Sequence, residues 1–208
     1  MNKSSIAIVA VVALLAGIGM SWYAHNARPI ELEAGVWFGE QARARPEFEL
    51  IDHNREPLTR DSFNGQWSLV FFGFTHCPDV CPIGLQALAD MVRAIDDADV
   101  SKDLRVYFVS VDPERDQPEV LAEYVHYFNP EFNGATAELD KLTPFTRSLG
   151  IAHTIRNKTE GSDDYDVDHS GAIVLINPHA EYAGLFGGPH DPMVMARDMT
   201  RIIERNPL

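Results

Sequence analysis

The chain has 208 residues, of which 45% are hydrophobic, and a formal net charge of −14 at pH 7. That is enough for one core of ordinary size plus an appendage. The acidity argues against nucleic acid as a partner, because phosphate binding needs clustered Lys and Arg; it serves solubility and long-range attraction of a basic partner instead.

Residues 6–24 are a run of 19 without a charge, with Lys3 before it and Trp22 and Tyr23 at its far end. At 1.5 Å per helical residue the run nearly spans a hydrocarbon core, and amphipathic aromatics favour the interface. A cleavable signal peptide is the competing reading. The length of the run, and the aromatic pair where a small-residue cleavage site would fall, favour an uncleaved transmembrane anchor over 1–24. Residues 25–45, with Gly35, Trp37 and Gly39, read as a linker with some packing residues. The folded domain is expected over 46–208.

Within that domain, Phe48-Glu49-Leu50 alternates and Asp52-His53-Asn54 is turn chemistry. Residues 68–74 are a short apolar run suited to a strand buried on both faces. Over 83–95, Leu85, Leu88, Val92 and Ile95 recur at helical spacing. A second apolar strand is predicted over 104–111, ended by Asp112-Pro113. A helix follows over 118–128, and another over 139–149, kinked or split by Pro144 and closed by Gly150. Residues 157–168 are polar and suggest an exposed loop or hairpin. A third strand over 171–176 pairs with 183–186 across the Asn177-Pro178 turn. Asp191-Pro192 then caps the last helix, which runs to about residue 204. Strands alternating with helices imply an α/β fold with parallel pairing and helices on both sheet faces. Such sheets place ligands just beyond the carboxyl ends of their strands.

That position holds Phe74-Thr75-His76-Cys77-Pro78-Asp79-Val80-Cys81-Pro82, which contains both cysteines of the chain. Residues i and i+4 on a helical turn share a face, so the sulfurs can converge on one ion or on each other. A helix N-terminus favours thiolate, the form that metal binding and disulfide exchange both need. A plain stabilising disulfide is disfavoured, because it would close only a few residues and restrict the unfolded chain little. Soft sulfur suits Cu(I) and zinc, and an added imidazole accommodates Cu(II). Of the 8 histidines, His169, just before the third strand, and His76, beside Cys77, are the candidates that spacing leaves open. His126, His153, His179 and His190 read as surface or core residues. Met193, Met195 and Met199 read as core packing on an amphipathic helix. The 112–116 stretch reads as a charged loop, either a solvated turn or part of a docking surface.

Three segments resemble the Sco/SenC family. They are Phe72-Gly73-Phe74-Thr75-His76-Cys77-Pro78-Asp79-Val80-Cys81-Pro82, Val109-Ser110-Val111-Asp112-Pro113-Glu114-Arg115-Asp116 and Asp166-Val167-Asp168-His169-Ser170. The resemblance implies a thioredoxin-like fold, with a central mixed sheet flanked by helices and a membrane helix before it. It also implies a copper site of Cys77, Cys81 and His169, with Asp79 and Asp168 beside the ligands. It further implies delivery of Cu(I) or Cu(II) to the binuclear copper centre of cytochrome c oxidase, with other copper chaperones as further partners. The domain would then stand outside the cytoplasm, on the periplasmic side of the inner membrane if the source is bacterial. The alternative carried by the same cysteines is a thiol–disulfide oxidoreductase that reduces the recipient's cysteines; the extra residue relative to Cys-x-x-Cys counts against it. Two departures stand out: Phe132-Asn133-Gly134-Ala135-Thr136 replaces a Gly-Leu-Thr-Gly-like turn, and Ala180 stands where a turn glycine is common.

Overall fold

The computed structural model describes residues 3–26, 30–44, 46–95, 100, 102–158 and 165–206. The chain divides into two compact units, Met1–Glu31 and Leu32–Leu208. The first contains one continuous helix, α1 (Lys3–Asn26). It covers the segment expected to cross a membrane, yet among the described residues no helix is long and apolar enough to do so.

The second unit is built on a nine-stranded mixed sheet. In chain order its strands are β1 (Gly35–Trp37), β2 (Arg43–Ala44), β3 (Glu49–Asp52), β4 (Pro57–Thr59), β5 (Trp67–Gly73), β6 (Leu104–Ser110) and β7 (Asn133–Thr136). A separate two-stranded sheet is formed by β8 (His153–Arg156) and β9 (Asp166–His169), after which β10 (Ile173–Ile176) and β11 (Glu181–Phe186) return to the main sheet. The order across the main sheet is β1-β11-β10-β5-β6-β7-β3-β4, with β2 also on β11. β5, β6 and β7 are parallel, and the strands outside them run antiparallel to their neighbours. Among the described residues the longer helices of this unit are α2 (Val80–Ala94), α3 (Pro118–Phe128), α4 (Leu139–Ser148) and α5 (Pro192–Arg205).

Every residue of β5 is buried, because helices cover both faces of the sheet there. On one face Phe71 lies so close to Gly84 of α2 that a Cβ at residue 84 would stand 2.6 Å from its ring. On the same side Phe108 of β6 packs on Tyr124 of α3, with ring centroids 5.5 Å apart. On the other face Phe72 meets Phe145 of α4 at 5.9 Å, within a core that includes Val70, Val109, Leu142 and Val174. Each such fully buried large side chain contributes about 1.5–3 kcal/mol. The unbroken apolar run of β5 is therefore what a central, doubly covered strand requires. Asp191 caps α5 as expected, accepting from the backbone N–H groups of Met193 and Val194.

Two expectations are corrected, and one strand was not foreseen. The 25–45 segment is not simply a linker: β1 and β2 pair with β11, and the fully buried Asp198 of α5 accepts the backbone N–H groups of Glu33 at 2.9 Å and Ala34 at 2.8 Å. Strands of two or three residues carry too little periodicity to be read from sequence. Residues 133–136, for which no element was predicted, form β7, parallel to β6. Helix α4 runs through Pro144 without splitting and is closed by Gly150 at φ +71°.

Ala180 has φ +56°, a left-handed conformation that costs an L-residue its Cβ clearance. Asn177 builds the surrounding turn, its Oδ1 accepting the N–H groups of His179 and Glu181, each at 3.0 Å. Ala180→Gly is expected to raise stability by roughly 0.5–1 kcal/mol, the relieved strain exceeding the extra chain entropy of glycine. Urea unfolding measures it, and an unchanged or lower midpoint would contradict the strain.

Candidate metal centre

The parallel strand β5 ends at Gly73, and the chain turns through residues 74–79 into α2. Cys77 lies in this turn, its N–H bonded to the Phe74 carbonyl at 3.2 Å. Cys81 lies in the first turn of α2 and is fully buried. The pair does not need a shared helix to converge: the Cys81 N–H points at Cys77 Sγ, 3.5 Å away. Both cysteines are free thiols. From the other side β9 delivers His169, whose Nε2 lies 3.3 Å from Cys81 Sγ. The sulfurs of Cys77 and Cys81 and a ring nitrogen of His169 all fall within 4.8 Å of one another. Among the described residues no other cluster of three or more His, Cys, Asp or Glu has this compactness.

Hydrogen bonding selects the tautomer of His169. Nδ1 lies 3.2 Å from the Ser170 carbonyl, which can only accept, so Nδ1 carries the proton and Nε2 turns its lone pair to Cys81. Burial lowers the His169 pKa, against hydrogen bonds to the Ser170 and Phe72 backbone, so the ring is neutral near pH 7. The Phe74 ring meets it edge-on at 5.7 Å.

Burial pushes the Cys81 thiol well up; a backbone hydrogen bond at Phe74 opposes this, and the neighbouring Cys77 and Asp116 reinforce it. The expectation that a helix N-terminus makes both groups thiolate is thus overturned at Cys81, where desolvation outweighs the helix dipole. Its S–H donates to His169 Nε2, and any metal entering the site must displace that proton. Two thiol sulfurs and a pre-oriented imidazole make a soft, three-donor set, which fits a thiophilic ion.

The remaining sequence candidates lie elsewhere. His76 is 58% exposed, and its Nδ1 lies 3.1 Å from Thr75 Oγ1. Asp168 pairs with Arg156 on the opposite face of β9 from His169, and Asp79 makes no side-chain cap to α2. His153 lies 3.3 Å from Thr146 Oγ1, His190 bonds the Gly171 carbonyl at 2.8 Å, and His126 meets His53 edge-on at 5.0 Å. His179 is exposed. Met195 and Met199 are fully buried, whereas Met193, expected in the core, is 57% exposed.

The 112–116 stretch is the largest correction. Asp112 and Asp116 are fully buried rather than solvated. Asp116 accepts the Thr75 N–H at 2.9 Å, the Thr75 hydroxyl at 2.5 Å and the Ser110 hydroxyl at 2.5 Å, so it fastens the cysteine turn from beneath. Burial raises its pKa, and these three donors counteract that. Sequence reading missed Thr75, Ser110 and Tyr165 as neighbours of the site; the recurrence of Asp112 and Asp116 in one motif was the available signal.

A Cβ on Gly73 would stand 2.4 Å from Cys81 Sγ and 2.8 Å from the Phe108 ring. Gly73→Ala is expected to cost about 1–3 kcal/mol by overpacking and to push Cys81 away from His169. Denaturant unfolding reads the first effect and metal affinity the second; an unperturbed variant would contradict the packing. The exposure difference predicts that iodoacetamide modifies Cys77 well before Cys81 in the native protein, as followed by peptide mass spectrometry. Equal rates would contradict the buried placement of Cys81.

A family profile described as SCO1/SenC matches residues 39–204, which include Cys77, Cys81 and His169. The mouse (Mus musculus) protein named Protein SCO2 homolog, mitochondrial, is 35% identical over 180 residues, covering 83% of this chain and 68% of the relative. The structure of Arabidopsis thaliana ScoI with copper bound is 31% identical with a TM-score of 0.71, covering 78% of this chain and 99% of that one. The structure of Bradyrhizobium japonicum ScoI with copper bound is 30% identical with a TM-score of 0.67, covering 76% and 99%. With the profile covering every strand of the main sheet except β1, together with Cys77, Cys81 and His169, the chain belongs to the SCO1/SenC family.

Proposed function

We propose that this protein is a copper carrier that holds one ion through Cys77, Cys81 and His169 and passes it to the binuclear copper centre of cytochrome c oxidase during assembly. The observation that carries the reading is the three-donor group within 4.8 Å. Two family members have been solved with copper bound, which supports copper as the ion. The oxidase as recipient rests on the family resemblance.

Copper here is cargo. Two sulfurs satisfy Cu(I), and the His169 nitrogen adds the donor that Cu(II) prefers. Three protein donors leave a coordination position open to a recipient's ligand, so the ion can be handed over rather than locked in. Cys77, the more exposed sulfur, is the side from which a recipient can approach. The uncharged run over 6–24 supports attachment to a membrane through α1; the placement of the 32–208 unit outside the cytoplasm rests on the family resemblance.

A second reading uses the same pair as a thiol–disulfide reductase. The observation favouring it is that Cys77 is accessible while Cys81 is buried within sulfur reach behind it. Cys77 would attack the recipient's disulfide, and Cys81 would resolve the mixed disulfide, leaving the recipient reduced and this pair oxidised.

Full-length protein in detergent is expected to bind one Cu(I) or one Cu(II) per chain. His169→Ala is expected to retain Cu(I) but lose Cu(II) affinity by at least about tenfold, with a changed Cu(II) absorption spectrum. Competition titrations and spectroscopy check this; no copper binding, or a variant indistinguishable in its Cu(II) form, would refute the carrier reading. Cys81→Ser, mixed with an oxidised recipient domain, tests the second reading: a trapped Cys77 mixed disulfide supports it, and intact copper transfer with no trapped species counts against it.

A further inference from the structure

The His169 hairpin belongs to a two-stranded sheet that, among the described residues, makes no strand pairing with the main sheet. Apolar packing of Ile155 and Val167 holds it to the core, but packing alone fixes a hairpin's position more loosely than directional bonds do. One polar contact of the hairpin runs elsewhere, from His153 Nδ1 to Thr146 Oγ1 of α4 at 3.3 Å, whereas those at its Tyr165 end converge on the 110–116 segment, from the last residue of β6 towards α3.

Tyr165, 6% exposed and directly before β9, donates its hydroxyl to Asp112 Oδ1 at 2.6 Å. Asp112 Oδ2 accepts from Arg115 Nε at 2.5 Å. Arg115 Nη1 returns to the Tyr165 carbonyl at 3.3 Å, and its guanidinium stacks on the Tyr165 ring at 3.7 Å. The same guanidinium lies 5.5 Å from the Phe74 ring, which in turn abuts His169. Outside this, Lys158 pairs with Glu114. The cysteine turn is tied to the same segment by the two bonds of Thr75 to Asp116, which Ser110 braces from within the segment. The two sets of bonds meet at Ser110, whose Oγ accepts the Asp112 N–H at 3.0 Å and donates to Asp116.

We propose that the 110–116 segment is a two-armed clamp. Asp112 and Arg115, acting through Tyr165, are positioning residues that hold His169 over the cysteines and so determine how strongly the site retains Cu(II) relative to Cu(I). The copper part rests on the carrier reading above; the positioning part concerns this chain alone. The selectivity follows from donor chemistry. The soft Cu(I) ion is satisfied by the two sulfurs on the Asp116 arm, whereas Cu(II) depends on the imidazole held by the Tyr165 arm. Loosening one arm therefore separates the two oxidation states.

Tyr165→Phe removes one hydroxyl and keeps the ring under Arg115. In the full chain in detergent, Cu(II) affinity is expected to fall at least about tenfold, the scale of lost ligand support, while Cu(I) affinity stays within about twofold. In the copper-free protein, amide hydrogen exchange over 166–169 is expected to accelerate while that of β5 stays unchanged. Thr75→Val, which cuts the other arm at its hydroxyl, is expected to weaken both oxidation states together. Tyr127→Phe, on a tyrosine that is 84% exposed, is the control and should alter nothing. Equal losses for both ions in Tyr165→Phe, or unchanged hairpin exchange, would overturn the clamp. If the parent protein binds no copper, the carrier reading fails, and the exchange experiment still decides the positioning. Should Tyr165→Phe not fold, Asp112→Asn, of the same shape, takes the same measurements.

Discussion

Cys81 Sγ occupies the space that a side chain on Gly73 would need. This close approach joins the C-terminal end of the central strand to the first turn of α2, and the rest of the site is arranged around it. A sulfur pressed against the backbone at Gly73 is desolvated, so Cys81 stays protonated in the metal-free protein and bonds to the neutral His169. Cys77, one turn earlier, keeps partial access to solvent. Two residues of identical chemistry are thereby given unlike tasks, one buried and held, the other accessible.

Beneath them lies a group of buried charges that a protein of this size does not keep for stability alone. An uncompensated buried carboxylate is costly, and even a paired one rarely outperforms an apolar replacement. Asp112 and Asp116 are each fully enclosed and well supplied with donors: Tyr165, Arg115, and the Thr75 and Ser110 groups. Their bonds run to the two segments that carry the sulfur and nitrogen donors. The same negative charge adds to the cost of forming thiolate at Cys81. The network thus shapes the site and also makes its empty state reluctant to ionise, which an entering cation would reverse.

The sheet explains why these segments meet at all. β5 and β6 run parallel, so their carboxyl ends lie side by side, and the Val111 N–H reaches the Gly73 carbonyl at 2.9 Å. The cysteine turn follows the first strand and the Asp112–Asp116 segment follows the second. His169 arrives from a different direction, on a hairpin just ahead of β10, which itself runs antiparallel to β5. The site is therefore shared by three chain segments separated by long stretches of sequence.

The central elements were legible in the order of residues, because their signals are local. The doubly apolar run of β5, the stripe of α3 and the Asp191-Pro192 start of α5 need no tertiary knowledge, and the spacing of Cys77 and Cys81 placed two sulfurs within reach of one ion. That order could not choose between His76 and His169 by spacing; family resemblance pointed to His169, and in the fold His169 of β9 lies beside Cys77 and Cys81 while His76 faces solvent. Nor could it show that Asp112 and Asp116 are buried, since a run of charged residues looks solvated until the elements that enclose it are assembled. β1, β2 and β7 were missed for the same kind of reason: they are short and owe their extended form to neighbouring strands rather than to their own residues. What tertiary structure alone decided was proximity, and with it the desolvation of Cys81, the tautomer of His169 and the strained backbone of Ala180. Each of these depends on what surrounds an atom, and a linear order of residues does not contain that.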